Sequence, residues 1–208
     1  LLNADGGLTR NHRSGSKNKH TTGTFTMPRF TFAFTALAVV AIATLPSQTA
    51  NADWPAFLGG KSRSAAEDFS PPLKWAPDEG IGWQSELTGH GQSSPVIVGN
   101  RIYLTAVEGP MKNNNLVSCH NLSTGELLWK KSFPSSLLVA NNVYTSRAAP
   151  SPSADASGVF AFFESGNLVA LTPDGEVRWE RDLIKDYGKF VGRFGLGGSI
   201  AQLDDQIF

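Results

Sequence analysis

Cysteine occurs once in the 208 residues, as Cys119. No internal disulfide can form, and no Cys-x-x-Cys-His stands ready for haem attachment. In Leu116-Val-Ser-Cys-His-Asn the thiol reads as a small inward-facing hydrophobe within a strand. Charge of one sign is also missing, because 18 Lys/Arg balance 18 Asp/Glu. The balance hides two unlike parts. Residues 1–52 carry Arg10, Arg13, Lys17, Lys19 and Arg29 against Asp5 alone, which leaves 53–208 with a net charge of −4. A mildly acidic domain with no basic stripe excludes an electrostatic footprint for nucleic acid. Common catalytic signatures are absent: no Gly-x-x-x-x-Gly-Lys-Ser/Thr, no His-Glu-x-x-His, and no His/Cys/Asp set with metal-ligand spacing. Gly195-Leu-Gly197-Gly198-Ser199 looks like a phosphate loop, but it lacks the lysine and leads into a strand. His120 beside Cys119 reads as a strand residue rather than a metal ligand, and Asn121-Leu122-Ser123 reads as a turn.

Long apolar runs are missing too, with one exception, Phe30–Leu45. Arg29 precedes it, Pro46 breaks it, and Ala50-Asn51-Ala52 follows as a small-x-small site. That order reads as a secretory signal peptide over 27–52, cleaved before Asp53. A retained membrane anchor is the alternative, although the run is shorter than the roughly 20 residues that span a bilayer. Met27-Pro28-Arg29 is the better translation start. Residues 1–26, polar and without an initiating methionine, are expected to be disordered or an upstream gene-model artefact.

What the chain does have is self-similarity. Ser94-Pro-Val-Ile-Val-Gly-Asn-Arg-Ile102-Tyr103, Ser151 to Phe160 and Ser199 to Phe208 each place a serine nine positions before an aromatic that follows a β-branched residue. A second phrase interleaves: Gly125-Glu-Leu-Leu-Trp129 matches Gly175-Glu-Val-Arg-Trp179, and its tail recurs early as Trp83-Gln-Ser-Glu-Leu87. The tryptophans stand 46 and 50 residues apart, a period that means a solenoid or a propeller. Short β-branched runs joined by Gly99-Asn100, Ser123-Thr-Gly125, Ser165-Gly-Asn167 and Asp174-Gly175 make each period a series of hairpins. Four hairpin-linked strands per repeat describe a propeller blade. No 3.6-residue periodicity supports an α-solenoid.

The prediction is an all-β fold, a β-propeller of four-stranded blades, with repeats at about 89–133, 146–183 and 195–208. Residues 83–87 form an orphan outer strand, expected to complete the last blade of a closed ring. Phe208 occupies the aromatic position of a second strand. About two blades and part of a third are therefore expected, as an N-terminal piece of the propeller. Trp83, Trp129 and Trp179, repeated at one place in the outer strand, are predicted to fill the gaps between blades rather than to hold a cofactor.

Functional positions in a repeat protein are those that differ between copies. Four residues before each repeat serine stand His90, Arg147 and Gly195, in the loops leading from an outer strand to the next innermost strand. Arg193 and the aromatics Tyr144 and Tyr187 fall in the same stretches. Such a rim of His, Arg and Tyr suits an anionic or sugar-like ligand.

Asp53-Trp-Pro-Ala-Phe57-Leu-Gly59, Gly91-Gln-Ser-Ser-Pro-Val96, and Asn167-Leu-Val-Ala-Leu171 followed by Asp174-Gly175 and Trp179 carry a family resemblance. From Asp53 to Phe208 the chain resembles the PQQ-like (pyrroloquinoline-quinone-like) β-propeller repeat proteins, of the exported kind abundant in planctomycete bacteria. It departs from their usual opening at Leu58-Gly59-Gly60, where an Arg-Gly-Pro commonly follows the Phe. The resemblance implies the fold more than an activity. Three functions are compatible with it. The first is an exported, non-catalytic module binding protein or polymer ligands on its face. The second is a quinone-dependent dehydrogenase, requiring PQQ and Ca²⁺, with an acidic site and often vicinal cysteines that this sequence does not show. The third is an envelope scaffold resembling the outer-membrane assembly propeller, for which a lipobox Cys at the cleavage site would be expected and Asn51-Ala52-Asp53 offers none. The first is preferred, with no cofactor, no catalytic residue and no metal, located in the periplasm or outside the cell. Membrane contact follows only if the leader is retained.

Overall fold

In chain order the strands are β1 (Leu2–Asn3), β2 (Val96–Val98), β3 (Arg101–Glu108), β4 (Asn114–Asn121), β5 (Leu127–Pro134), β6 (Ser153–Asp155), β7 (Gly158–Phe162), β8 (Asn167–Leu171), β9 (Val177–Asp182), β10 (Gln202–Leu203) and β11 (Gln206–Ile207). One short helix, α1 (Leu183–Tyr187), follows β9. The computed structural model describes residues 2–3, 53–60, 72–76, 79–139, 146–190 and 196–208, all within the unit Leu1–Thr9 plus Asn51–Phe208. The leader 27–52, Tyr144 and Arg193 lie outside the described residues, as do residues 1–26 apart from Leu2–Asn3.

The two complete repeats fold into two four-stranded antiparallel meanders, β2-β3-β4-β5 and β6-β7-β8-β9. All three serine-to-aromatic phrases close in one register. Val96 pairs with Tyr103 and Ser153 with Phe160, and Ala201 exchanges both backbone hydrogen bonds with Phe208. The innermost and second strands of each blade are thus set by the repeat itself. The chain forms a β-propeller of two complete blades and the start of a third, β10-β11. Leu2–Asn3, expected to lie outside the fold, pairs antiparallel with the outer edge of β11. An open strand edge offers unpaired N–H and C=O groups to any extended segment.

The inner strands of blade 2 are buried on both faces because blade 1 and the third blade pack on either side of it. Blade 1 sends Val96, Tyr103, Val107, Val117, Cys119 and Phe133 into one core with Val159, Ala161, Val169 and Leu171 of blade 2. The alternate residues of blade 2, Phe160, Phe162, Leu168 and Ala170, point the other way, onto Ile200 and Ile207 of the third blade. This period-2 partition is what a strand between two layers requires. It explains why β7 and β8 are buried at every position.

A serine ladder ties the blades near their inner strands. The Ser94 N–H donates to Ser151 Oγ at 2.9 Å, and the Ser151 N–H donates to Ser199 Oγ at 3.0 Å. The tryptophans tie them farther out. Trp83 donates its indole N–H to the Leu122 carbonyl at 2.9 Å, and Trp129 donates to the Pro173 carbonyl at 2.8 Å. Each ring lies against a turn glycine of the following blade, where an added Cβ would stand 2.2 Å from Trp83 at Gly125 and 2.7 Å from Trp129 at Gly175. Both glycines also hold positive φ, 73° and 83°, so the site demands glycine twice over. In blades 1 and 2 the tryptophan faces a small residue, Cys119 or Ala170, and a β-bulge follows at once. The extra twist of a bulge re-aims the outer strand there.

This connectivity gives the blades two ends. The β2–β3, β4–β5, β6–β7 and β8–β9 turns share the hairpin face. The β3–β4 and β7–β8 turns share the opposite, connection face with the segments that link one blade to the next.

Candidate functional site on the connection face

Three ionisable side chains from three separate loops meet between blades 1 and 2 on the connection face. Lys112 comes from the β3–β4 turn, Arg147 from the β5–β6 connection, and Glu164 from the β7–β8 turn. Lys112 is 1 % exposed and Glu164 is 4 %. Charged residues are almost never buried so deeply without a reason. Arg147 Nη1 lies 3.9 Å from Glu164 Oε2, an ion pair too long to be a hydrogen bond. Arg147 Nε and Glu164 Oε2 are both buried without a hydrogen-bond partner. Groups left in that condition ask for an explanation.

Backbone conformation singles out the same place. Lys112 has φ 50° and Arg147 φ 65°, two of four left-handed non-glycine residues among the described ones. Such conformations persist where surrounding structure imposes them, and they concentrate at functional sites. The electrostatics agree. Burial pushes the Glu164 carboxyl above its usual range, against the pull of Arg147, the Ala149 N–H and Lys112. Burial also pulls the Lys112 ammonium below its usual range, helped by Arg147 and opposed by Glu164. Desolvation thus outweighs pairing for both groups.

Repeat register shows what makes this junction different. His90 and Arg147 are equivalent positions. His90 exchanges backbone hydrogen bonds with Val107 at 3.0 and 2.8 Å and is exposed. The position equivalent to Val107 in blade 2 is Glu164. A core valine in one blade is a buried acid in the next, opposite an arginine. Sequence reading reached Arg147 through its loop position and missed Lys112 and Glu164. The available signal was an acid ending the apolar run Val159-Phe-Ala-Phe-Phe163 where its counterpart is valine.

Beside the cluster an amide network fastens the same two blades. Asn115 Nδ2 donates to Ser165 Oγ and Asn167 Oδ1, each at 3.0 Å. The Ser136 N–H donates to Asn167 Oδ1 at 2.9 Å, and Asn167 Nδ2 donates to the Pro134 carbonyl at 3.1 Å. Asn115 Oδ1 is left without a partner. Tyr187 closes α1 and is largely exposed. That helix replaces the plain loop expected after β9, because the Asp182 carboxylate accepts the Lys185 N–H at 3.0 Å and caps a first turn. Trp179 packs 6.1 Å from the Phe160 ring. His120 is buried, with Nδ1 3.2 Å from the Gly125 carbonyl and Nε2 3.3 Å from Ser118 Oγ. Cys119 lies in the inter-blade core, where burial pushes its thiol up and keeps it protonated.

The junction does not fit a Ca²⁺-dependent quinone centre among the described residues. Ca²⁺ takes six to eight oxygen ligands. Glu164 is the sole carboxylate of the cluster and faces two cations, and no group of three or more His, Cys, Asp or Glu residues forms a metal-ligand set there.

Meanders of one repeat, stacked through inter-blade cores and joined by tryptophan-on-glycine contacts, define a propeller of PQQ-type blades. The chain belongs to the family described as "Outer membrane protein assembly factor BamB", whose repeat pattern matches residues 73–190, more than half of the sequence. No curated protein matches it. Among solved structures it is similar to BamB from Moraxella catarrhalis (18 % identity, TM-score 0.41, covering 61 % of this chain and 36 % of that one). It is also similar to a quinohemoprotein alcohol dehydrogenase from Comamonas testosteroni (16 %, TM-score 0.47, 75 % and 22 %) and a europium-containing methanol dehydrogenase (16 %, TM-score 0.36, 54 % and 19 %). The chain spans between about a fifth and just over a third of the length of these proteins.

Proposed function

We propose that this is an exported, non-catalytic propeller that binds a protein or polymer ligand on its connection face, with Arg147 and Glu164 at the centre of the contact. The leader at 27–52 is removed before Asp53, placing 53–208 in the periplasm or outside the cell, with 83–87 as the outer strand that completes the ring. Among the described residues no helix is long and apolar enough to cross a membrane. The observation that carries the reading is the pair of buried atoms without a hydrogen-bond partner, Arg147 Nε and Glu164 Oε2. One is a donor and the other an acceptor, so a polar group that parts the junction gains hydrogen bonds there that the free protein lacks. His90, Arg193, Tyr144 and Tyr187 would frame the contact, and no nucleic acid is expected. Membership of a family named for outer-membrane assembly favours a protein ligand over a small molecule.

A photo-reactive phenylalanine analogue at position 90 tests the reading in the exporting cell. Discrete adducts are expected, and Arg147→Ala should abolish them while the protein stays folded. A smear of adducts indifferent to Arg147→Ala contradicts the site. Supplying PQQ, Ca²⁺ and a primary alcohol with a reducible dye should give no turnover. Dye reduction that depends on all three would overturn the non-catalytic assignment.

A further inference from the structure

The innermost strands repeat a backbone position that faces the propeller axis. Three residues after Ser94, Ser151 and Ser199 stand Ile97, Ala154 and Gln202. In an antiparallel pair, backbone groups alternate between the partner strand and the free edge. Ala201 commits both of its groups to Phe208, so Gln202 turns its N–H and C=O toward the axis. Residues 53–60 take the first two of the three positions. Trp54 exchanges both backbone hydrogen bonds with Ile97, at 2.9 and 2.8 Å, and the Pro55 carbonyl accepts the Ala154 N–H at 2.8 Å. Proline has no N–H to return, and the chain then turns away through Phe57–Gly59. The third position faces a cavity of about 740 Å³, walled by residues 53–60 on one side and by β6 and β10 on the other.

The cavity wall differs in chemistry from the same surface of blade 1. Ser153, Gln202 and Asp155 hold the register positions of Val96, Ile97 and Val98. They form one linked set, in which Ser153 Oγ donates to Gln202 Oε1 at 3.0 Å and Gln202 Nε2 donates to Asp155 Oδ2. The same amide nitrogen lies 3.4 Å from the Asp204 carbonyl, which brings a second acid to one spot. Asp53, Asp155 and Asp204 line the cavity beside Pro55, Phe57 and Ile200, and no Lys, Arg or His is among its described lining residues. A cleft lined by charge of one sign attracts the other.

The geometry points to a second docking site on this axis: an extended peptide of a partner protein pairs with Gln202 as Trp54 pairs with Ile97, and sets a Lys or Arg side chain against Asp155 and Asp204. Adding a strand to a free edge supplies affinity through the main chain and selectivity through the side chains. Residues 53–60 show that the inner edges of this fold accept such a segment. Asp155 ends β6 and Asp204 stands between β10 and β11, so the site lies toward the hairpin face. It is independent of the Arg147–Glu164 cluster on the connection face.

The test titrates the folded 208-residue chain into a fluorescent, end-blocked pentapeptide of alternating Val and Lys, read by anisotropy. Saturable binding is expected, at least about 10-fold tighter than for a Val–Glu peptide of the same length. N-methylation at alternate backbone nitrogens of the peptide should weaken binding by about 5-fold or more, the worth of one hydrogen bond. Asp204→Asn keeps a residue that tolerates the left-handed φ of 53° there, and should weaken binding about 3–5-fold. Glu176→Gln removes the same charge at an exposed site outside the cavity and should leave binding unchanged. No saturable binding, equal affinity for the Lys and Glu peptides, or indifference to N-methylation would overturn the proposal. A chain that sediments as a dimer and becomes monomeric as peptide is added would also overturn it, by giving the site to a second copy.

Discussion

At the scale of single residues, the tryptophan-on-glycine contacts hold the blades in register. Trp129 combines ring burial on Gly175 with an indole hydrogen bond to Pro173. Trp129→Ala is expected to lose about 3–5 kcal/mol, the usual range for emptying a large aromatic site. Gly175→Ala should lose about 1–3 kcal/mol, because the methyl meets the ring and the residue must keep a left-handed φ. Chemical denaturation of both single variants and the double variant checks this. In the double variant the two losses should fall short of additive, since one contact cannot be lost twice. The tryptophans were legible in the sequence as repeated outer-strand residues. Their glycine partners were not assigned, because each lies in the following repeat and reads locally as nothing more than a hairpin turn.

At the scale of elements, strand runs and turns followed from the repeat phrases, and the structure adds the inner hairpin register, with Val96 opposite Tyr103 and Ser153 opposite Phe160. Side-chain period and turn chemistry both specify that register. Helix α1 was not legible, as its signal is one capping aspartate ahead of a five-residue helix. The Asp182 carboxylate is held below its usual range first by the Lys185 N–H it accepts. A lowered carboxylate contributes stability that is present above the unfolded-state value of about 3.9 and is lost as pH falls through its lower folded value. Asp182→Ala should therefore cost about 0.5–2 kcal/mol at neutral pH and progressively less in acid, which thermal melts across pH 2–7 would resolve.

The segment 83–87 tests the blade count at the same scale. Leu87 matches Phe133 in the repeat, yet Leu87 is 57 % exposed where Phe133 is 5 %. A residue placed for a core has no core around it among the described residues. In this chain Leu87→Ser should change stability by less than about 0.5 kcal/mol, whereas Phe133→Ala should cost about 3–5 kcal/mol. In a closed ring of four or more blades, Leu87→Ser should become as damaging as other core truncations. Equal, small effects in both contexts would remove 83–87 from the outer-strand position.

At the scale of the whole molecule, folding stability and the proposed contact would make opposite demands on the connection face. The propeller is held together by inter-blade cores, the serine ladder and the aromatic contacts, and none of these needs Glu164. The cluster was only partly legible because its three members come from loops 35 and 17 residues apart in sequence, and burial of an acid is a property of their packing. A carboxyl raised above its usual range stabilises the fold in its neutral form, and that stability is fully present below about pH 4.3. It is lost as pH rises through the higher folded value, so ionisation of Glu164 weakens the fold.

The measurement that bears most directly on this account is the unfolding free energy of Glu164→Gln at neutral pH, set against the unaltered protein. Gln keeps the shape and removes the charge, and the pull of Arg147 and Lys112 is already included in the direction of the Glu164 shift. The account predicts a variant more stable than the unaltered protein, read as a rise in Tm, with the gain shrinking as pH is lowered. A loss of about 3–5 kcal/mol, the penalty for breaking a structural buried ion pair, would contradict it and make the junction a brace between blades rather than a binding site.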